Sequence, residues 1–128
     1  MGKFKASEEW IRQAKYDLDT AKAMFKARRY IYTVFMCHLS VEKGLKGLFV
    51  QSFQKDPPKS HDLNYLCSRL KLNLSEELQN FMDKLNDLSV PTRYPDELDR
   101  VLKQYDARRT EEILKFSKKL LLWLKRNM

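Results

Sequence analysis

Apolar residues recur at intervals of three and four along most of the chain, which is the spacing of one face of an α-helix. The first such segment contains Ile11, Ala14, Leu18, Ala21 and Phe25. Ser7 precedes this segment and is a candidate N-cap, because its hydroxyl can accept a hydrogen bond from the first helical turn. The pattern therefore predicts a helix over about residues 8–27, with a turn at Arg28-Arg29.

The second segment, from about Tyr30 to Phe53, is apolar around much of its circumference. A helix of this kind is either central in a bundle or shared with another subunit. Gly44 and Gly47 lie within it and, with Ser40, form a line of small residues that lets a neighbouring backbone come close. Pro57-Pro58 ends the helix. Since one small bundle offers too little surface to cover such a helix, a symmetric homodimer is expected.

Three further segments have helical spacing. A short helix is predicted after Asp62, a fourth helix begins after Ser75, and the last covers about residues 106–126. Between the fourth and last helices, two prolines within Val90–Pro95 favour an extended path. No segment shows sustained alternation of polar and apolar residues. The prediction is an all-α fold, an up-and-down helical bundle of four to five helices in a single domain of residues 1–128.

The charge of the chain is unevenly distributed. Lys and Arg number 25 against 17 Asp and Glu, which gives a formal net charge of +8. Residues 1–30 carry eight basic and four acidic groups, and residues 91–128 carry ten and six, so both ends are basic. A basic excess favours polyanions such as RNA or nucleotides. Solvated lysine-rich helices that confer only solubility are the alternative reading.

Several classes of protein are disfavoured by composition. Two Cys and two His without paired spacing cannot complete a zinc site, so we expect no metal and two buried free thiols, Cys37 and Cys67. The most apolar run, Tyr30–Val50, contains His38 and Glu42 among its charged and polar residues, which excludes a membrane span. The chain has no phosphate-binding P-loop and no HExxH zinc motif. We therefore expect a cytoplasmic protein without a bound cofactor.

Three polar clusters provide the candidate ligand-binding residues. They are Glu42 with Lys46, His61 with Asp62, and Arg93 with Tyr94 and Asp96. The first cluster lies in the most apolar helix, where an intrahelical ion pair is the simpler interpretation. In the second, capping of the next helix is as plausible as ligand binding. In the third, a guanidinium beside an aromatic ring can stack on a base or hold a phosphate, or Arg93 can pair structurally with Glu42.

The order and spacing of several segments resemble the HEPN family. These segments are WIRQAKYDLDTAKAMF, YTVFMCHLSVEKGLKGLF, KSHDLNYLC and TRYPDE, followed by the amphipathic RRTEEILKFSKKLLLWL. The likeness covers about residues 7–126. It implies a helical bundle that commonly dimerises, and many prokaryotic relatives are encoded beside a small nucleotidyltransferase as a toxin–antitoxin pair. The resemblance therefore implies binding of a nucleotide or RNA together with a nucleotidyltransferase partner.

Other members of the family are ribonucleases, and this sequence departs from their motif. In those relatives an Arg is separated from a His by four to six residues. The positions where His38 would need that Arg hold Ile, Tyr and Thr, and those for His61 hold Gln, Lys and Asp. We therefore predict no catalytic residues and no autonomous activity. Two alternatives remain open, a ribonuclease with a divergent site such as Arg93 with His61, and a structural dimer module without catalysis.

Overall fold

The computed structural model describes residues 4–88, 94 and 96–128. Within these residues the chain forms six helices and no strand. The helices are α1 (Ser7–Lys26), α2 (Tyr30–Phe53), α3 (Leu63–Leu70), α4 (Glu76–Asp87), α5 (Leu98–Gln104) and α6 (Ala107–Arg126). The predicted all-α bundle is confirmed. Helix α5 was not predicted, and it raises the number of helices above the expected four to five.

Helices α1 and α2 form an antiparallel hairpin held by two side-chain hydrogen bonds. The Ser40 hydroxyl donates to the backbone oxygen of Ala14 at 2.7 Å, and the Ser7 hydroxyl donates to that of Gly47 at 3.0 Å. Ser40 and Gly47 therefore admit α1, as the sequence predicted, but the third small residue, Gly44, lies against Leu121 and Leu124 of α6. The prediction of Ser7 as N-cap is wrong, because Ala6 occupies that position and Ser7 begins the helix. Its hydroxyl bonds to α2 instead of to its own first turn.

Helix α2 is central, and the chain itself covers it. Helix α6 runs parallel to α2, since Ser117 lies beside Cys37 and Leu121 packs against Gly44, and it contacts α1 as well. Most of the residues of α2 from Ile31 to Val50 are buried. One bundle thus buries the helix whose apolar surface suggested a second subunit. The homodimer stays a prediction, and this surface no longer argues for it.

Local capping fixes the position of α3 and α4. Asp62 caps α3 by accepting a hydrogen bond from the backbone N–H of Tyr65, and Ser75 caps α4 in the same way, as the sequence predicted. Asn86 at the end of α4 accepts from the N–H of Leu63 at 2.8 Å and donates to Asp62. These bonds hold the beginning of α3 against α4. The residues before α3 therefore lie at a defined place beside the bundle.

Both cysteines are free and buried, as predicted. Burial raises the pKa of the Cys37 thiol to about 11 and that of the Cys67 thiol to about 11. Both groups are therefore protonated at neutral pH and act as small apolar side chains. In the part of the chain that the structure describes, no cluster of His, Cys, Asp and Glu is suited to a metal ion. None of the described helices is long and apolar enough to cross a membrane.

Candidate functional site

A buried carboxylate lies at the centre of the candidate site. Glu42 projects from the middle of α2 and is 3% exposed. One turn further along the helix, the Lys46 ammonium lies 2.9 Å from its Oε2 atom and is also buried. The intrahelical ion pair that the sequence suggested is therefore present. Since each buried charge neutralises the other, neither is left without compensation in the apolar interior.

The same carboxylate holds an imidazole from outside the helix. The His61 Nδ1 atom lies 3.0 Å from both carboxylate oxygens of Glu42. A carboxylate accepts hydrogen bonds, so this geometry assigns the donated hydrogen to Nδ1. The His61 side chain is 64% exposed, so the Nε2 edge of the ring, which faces away from Glu42, is accessible to a ligand. Within α2, the fully buried His38 places its Nδ1 atom 3.9 Å from the Oε1 atom of the carboxylate.

The positively charged end of this cluster, Lys46, lies near the beginning of α1. The Lys46 ammonium lies 5.9 Å from the centre of the Trp10 ring, and the Lys5 ammonium lies 4.1 Å from it. Among the described residues, the indole nitrogen of Trp10 is buried without a hydrogen-bond partner. Two lysines thus contact one aromatic ring. Lys46 is paired with Glu42, and Lys5 lies close enough to the Glu9 carboxylate for their charges to interact.

The structure brings together some of the predicted site residues and separates others. Glu42, Lys46 and His61 form one cluster. Asp62 has a capping role, because its carboxylate accepts from backbone and side-chain N–H groups at the beginning of α3. Tyr94 is 75% exposed, and Asp96 is also exposed. Arg93 lies outside the described residues, so its predicted contact with a ligand or with Glu42 stays a prediction.

Sequence reasoning overlooked three side chains near the predicted site residues, and two of them lie on α3, the helix that follows His61. Tyr65 and Arg69 follow His61 at intervals of four residues, and the Arg69 Nη1 atom donates to the Tyr65 hydroxyl at 2.8 Å. Residues four apart on a helix are neighbours, so this contact could have been predicted from the spacing alone. Trp10 was also overlooked. Its contact with Lys46 joins two helices, and the sequence contains no local signal for it.

A second ion pair, between a partly exposed lysine and a buried carboxylate, joins the two helices of the hairpin that carries the site. The Lys43 ammonium of α2 lies 2.9 Å from the Asp17 carboxylate of α1, which is buried. This contact neutralises the charge of Lys43, which follows Glu42 in the most apolar helix. Lys43 is therefore occupied by α1 and does not belong to the cluster around Glu42.

Comparisons with known proteins agree with this architecture. The family model described as HEPN domain matches residues 7–127. The solved structure of TT1696 from Thermus thermophilus is similar, with a TM-score of 0.84 and 25% identity over 95% of this chain and 98% of that one. The structure of ST0689, an archaeal HEPN homologue, has a TM-score of 0.77 and 27% identity over 96% and 98%. The search of curated proteins found no match. The chain belongs to the HEPN domain family.

Proposed function

We propose that this protein binds a nucleotide or RNA through the face that His61 presents. The observation that carries the proposal is the His61 ring, held from behind by the buried Glu42 carboxylate with its Nε2 edge exposed. A ring fixed in this way loses little conformational entropy when it meets a ligand. Its outer edge can exchange a hydrogen bond with a phosphate or a sugar hydroxyl.

Charge supports the same proposal. The chain carries a formal net charge of +8, and Lys5 beside Trp10 adds a cation close to an aromatic ring. Aromatic rings next to basic side chains are typical of surfaces that bind bases and phosphates together. Arg93 and Tyr94 supply the same pair of chemical groups, and they belong to the proposed site as ligand contacts.

The proposal includes a nucleotidyltransferase partner in a toxin–antitoxin-like module, together with a homodimer of this chain. Membership of the HEPN domain family supports this part of the proposal. The absence of the Arg and His spacing of the family's ribonucleases also supports it, because a binding subunit needs a partner for chemistry. The partner would act on the nucleotide or RNA that this chain holds.

Replacing Arg93 with Ala should weaken RNA binding by about 1.5–3 kcal/mol, the value of one charge-assisted phosphate contact. Anisotropy of a fluorescein-labelled single-stranded RNA, titrated with protein at low and high salt, measures this loss. The affinity of the parent protein should also fall steeply as salt rises, because phosphate contacts release counterions.

The control for Arg93 is Arg108→Ala, which removes one exposed positive charge in the first turn of α6. If the Arg93 variant binds as tightly as the Arg108 variant, Arg93 is not a ligand contact. If the parent protein binds neither the RNA nor ATP at low salt, the proposed function is wrong.

A ribonuclease with a divergent site is the second candidate, and one observation favours it. A carboxylate that orients Nδ1 of a His and leaves Nε2 exposed is the arrangement that general bases use. Proton transfer to the leaving group needs a second group near neutral pH. The other imidazole, His38, is fully buried behind Glu42 and cannot reach a bound RNA. Binding without cleavage is therefore the better-supported function.

We expect the purified protein alone to leave RNA intact. The measurement is incubation of end-labelled RNA in chelator, followed by gel electrophoresis, with His61→Ala beside the parent. Cleavage by the parent that disappears in the His61 variant would make a ribonuclease with a divergent site the better-supported function. Cleavage that persists in the variant would point to a contaminating nuclease.

A further inference from the structure

Three exposed side chains form a row that starts just before α3 and continues along it, and the proposed site uses this row only at one end. His61, Tyr65 and Arg69 are spaced four residues apart, and all three are exposed. Tyr65 and Arg69 lie four residues apart on α3, about 6 Å along its axis, and His61 stands two residues before the helix begins. It begins at the imidazole held by Glu42 and ends at a guanidinium near Phe49 in the last third of α2.

The guanidinium of Arg69 is held in place by aromatic groups. Its Nη1 atom donates to the Tyr65 hydroxyl at 2.8 Å. Its central carbon lies 5.6 Å from the centre of the Phe49 ring and 5.8 Å from that of Tyr65. No carboxylate of the described residues lies within ion-pair distance of it. The group is therefore oriented while its charge is not neutralised by those residues.

Exposed aromatic surface accompanies this cation. Tyr65 is 41% exposed and Phe53 is 46% exposed. The Phe53 ring packs against that of Phe49, with 4.6 Å between the ring centres. Phe49 thus joins both the exposed Phe53 ring and the guanidinium of Arg69. The result is a surface on which π-faces and a fixed positive charge lie side by side.

We propose that this face of α3 and the end of α2 bind single-stranded RNA, an inference that rests on the proposed function and extends its site. A base stacks on Tyr65, and Arg69 holds a neighbouring phosphate with its remaining N–H groups. His61 contacts the strand at the other end of the row through its Nε2 edge. Stacking on a side chain needs a base that is not paired in a duplex, so the surface selects single strands.

The test measures binding of fluorescein-labelled oligo(U) and of a duplex RNA of the same length, by anisotropy at fixed low salt. Tyr65→Ala should weaken oligo(U) binding about five- to hundredfold, the range found when stacking residues are removed. Arg69→Ala should have an effect of about tenfold or more. Tyr65→Phe keeps the ring and should stay within about threefold of the parent.

Arg108→Ala again serves as the matched loss of one exposed positive charge. Ser117 lies beside Cys37, so α6 begins beside the start of α2, at the opposite end of the bundle from Phe49. Since Tyr65 and Arg69 are exposed, circular dichroism should show unchanged helix content in their variants.

The outcomes separate the two proposals. If Tyr65→Ala and Arg69→Ala weaken oligo(U) binding no more than Arg108→Ala, the α3 surface is not the binding surface, while RNA binding itself stands. Equal losses for oligo(U) and duplex RNA overturn the selection of single strands by stacking. If the parent protein binds neither RNA, the proposed function and this inference both fall.

Discussion

Replacing Glu42 with Ala should lower the free energy of unfolding by about 3–5 kcal/mol, which is the usual cost of breaking a buried ion pair from one side. The change leaves the buried Lys46 ammonium without the carboxylate that lies 2.9 Å away. It also removes the acceptor that orients His61. Urea denaturation followed by circular dichroism measures the loss as a lower midpoint with an unchanged slope.

Two controls separate charge from packing at this position. The double variant Glu42→Leu with Lys46→Met removes both charges and keeps apolar volume, so it should recover most of the stability. Glu77→Ala breaks an exposed ion pair with Lys119 of similar length, 2.9 Å, and should cost less than about 1 kcal/mol. If the double variant is as unstable as Glu42→Ala, the loss comes from packing and the ion-pair explanation is wrong.

Helices bounded by local chemistry were predicted with accurate ends. Pro57-Pro58 cannot continue α2, and Asp62 and Ser75 cap the helices that follow them. These signals lie within four residues of the boundary that they set, so the sequence alone contains them. Ser7 shows where such signals fail. Its residue type is right for a cap, but the helix begins one residue earlier than a Ser7 cap requires, and the Ser7 hydroxyl donates to the backbone oxygen of Gly47, 40 positions away.

Helix α5 was missed because it is short and weakly patterned. It has seven residues, and isolated helices of that length are unstable without tertiary packing. Val101 is buried while Leu98 and Leu102 are exposed. The apolar residues of α5 therefore do not form the buried stripe by which longer helices are recognised. Its existence depends on contacts with the rest of the bundle, which periodicity does not report.

The candidate site divides in the same way. The contact between Glu42 and Lys46 was predicted, because residues four apart on a helix are neighbours. The contact between Glu42 and His61 joins residues 19 positions apart, and it depends on the return of the chain along α2 before α3 begins. The sequence identified Glu42 and His61 by their side-chain chemistry. It did not show that they are in contact, because that depends on the path of the chain between α2 and α3.

Replacing Gly47 with Leu should destabilise the protein by about 3 kcal/mol, at the upper end of the usual cost of overpacking a core. A Cβ atom at this position would lie 3.1 Å from the Cβ of Trp10 and 3.2 Å from the Cδ1 of Ile11. The first of these atoms is attached directly to the backbone of α1 and cannot turn away. Helix α1 would have to move outward, which also strains the bond from the Ser7 hydroxyl to the Gly47 oxygen.

Gly44 provides the matched comparison, with Ala placed at each glycine in turn. At Gly44 the added Cβ would lie 2.9 Å from the Cδ1 of Leu121 and 3.1 Å from that of Leu124. Both atoms are the ends of flexible side chains, and the gain in helix propensity of about 1 kcal/mol offsets their adjustment. Urea denaturation should therefore find Gly44→Ala close to the parent and Gly47→Ala less stable than Gly44→Ala. Equal urea midpoints for the two Ala variants would show that moving α1 costs no more than moving a leucine side chain. The close approach of α1 at Gly47 would then not determine the position of α1 against α2.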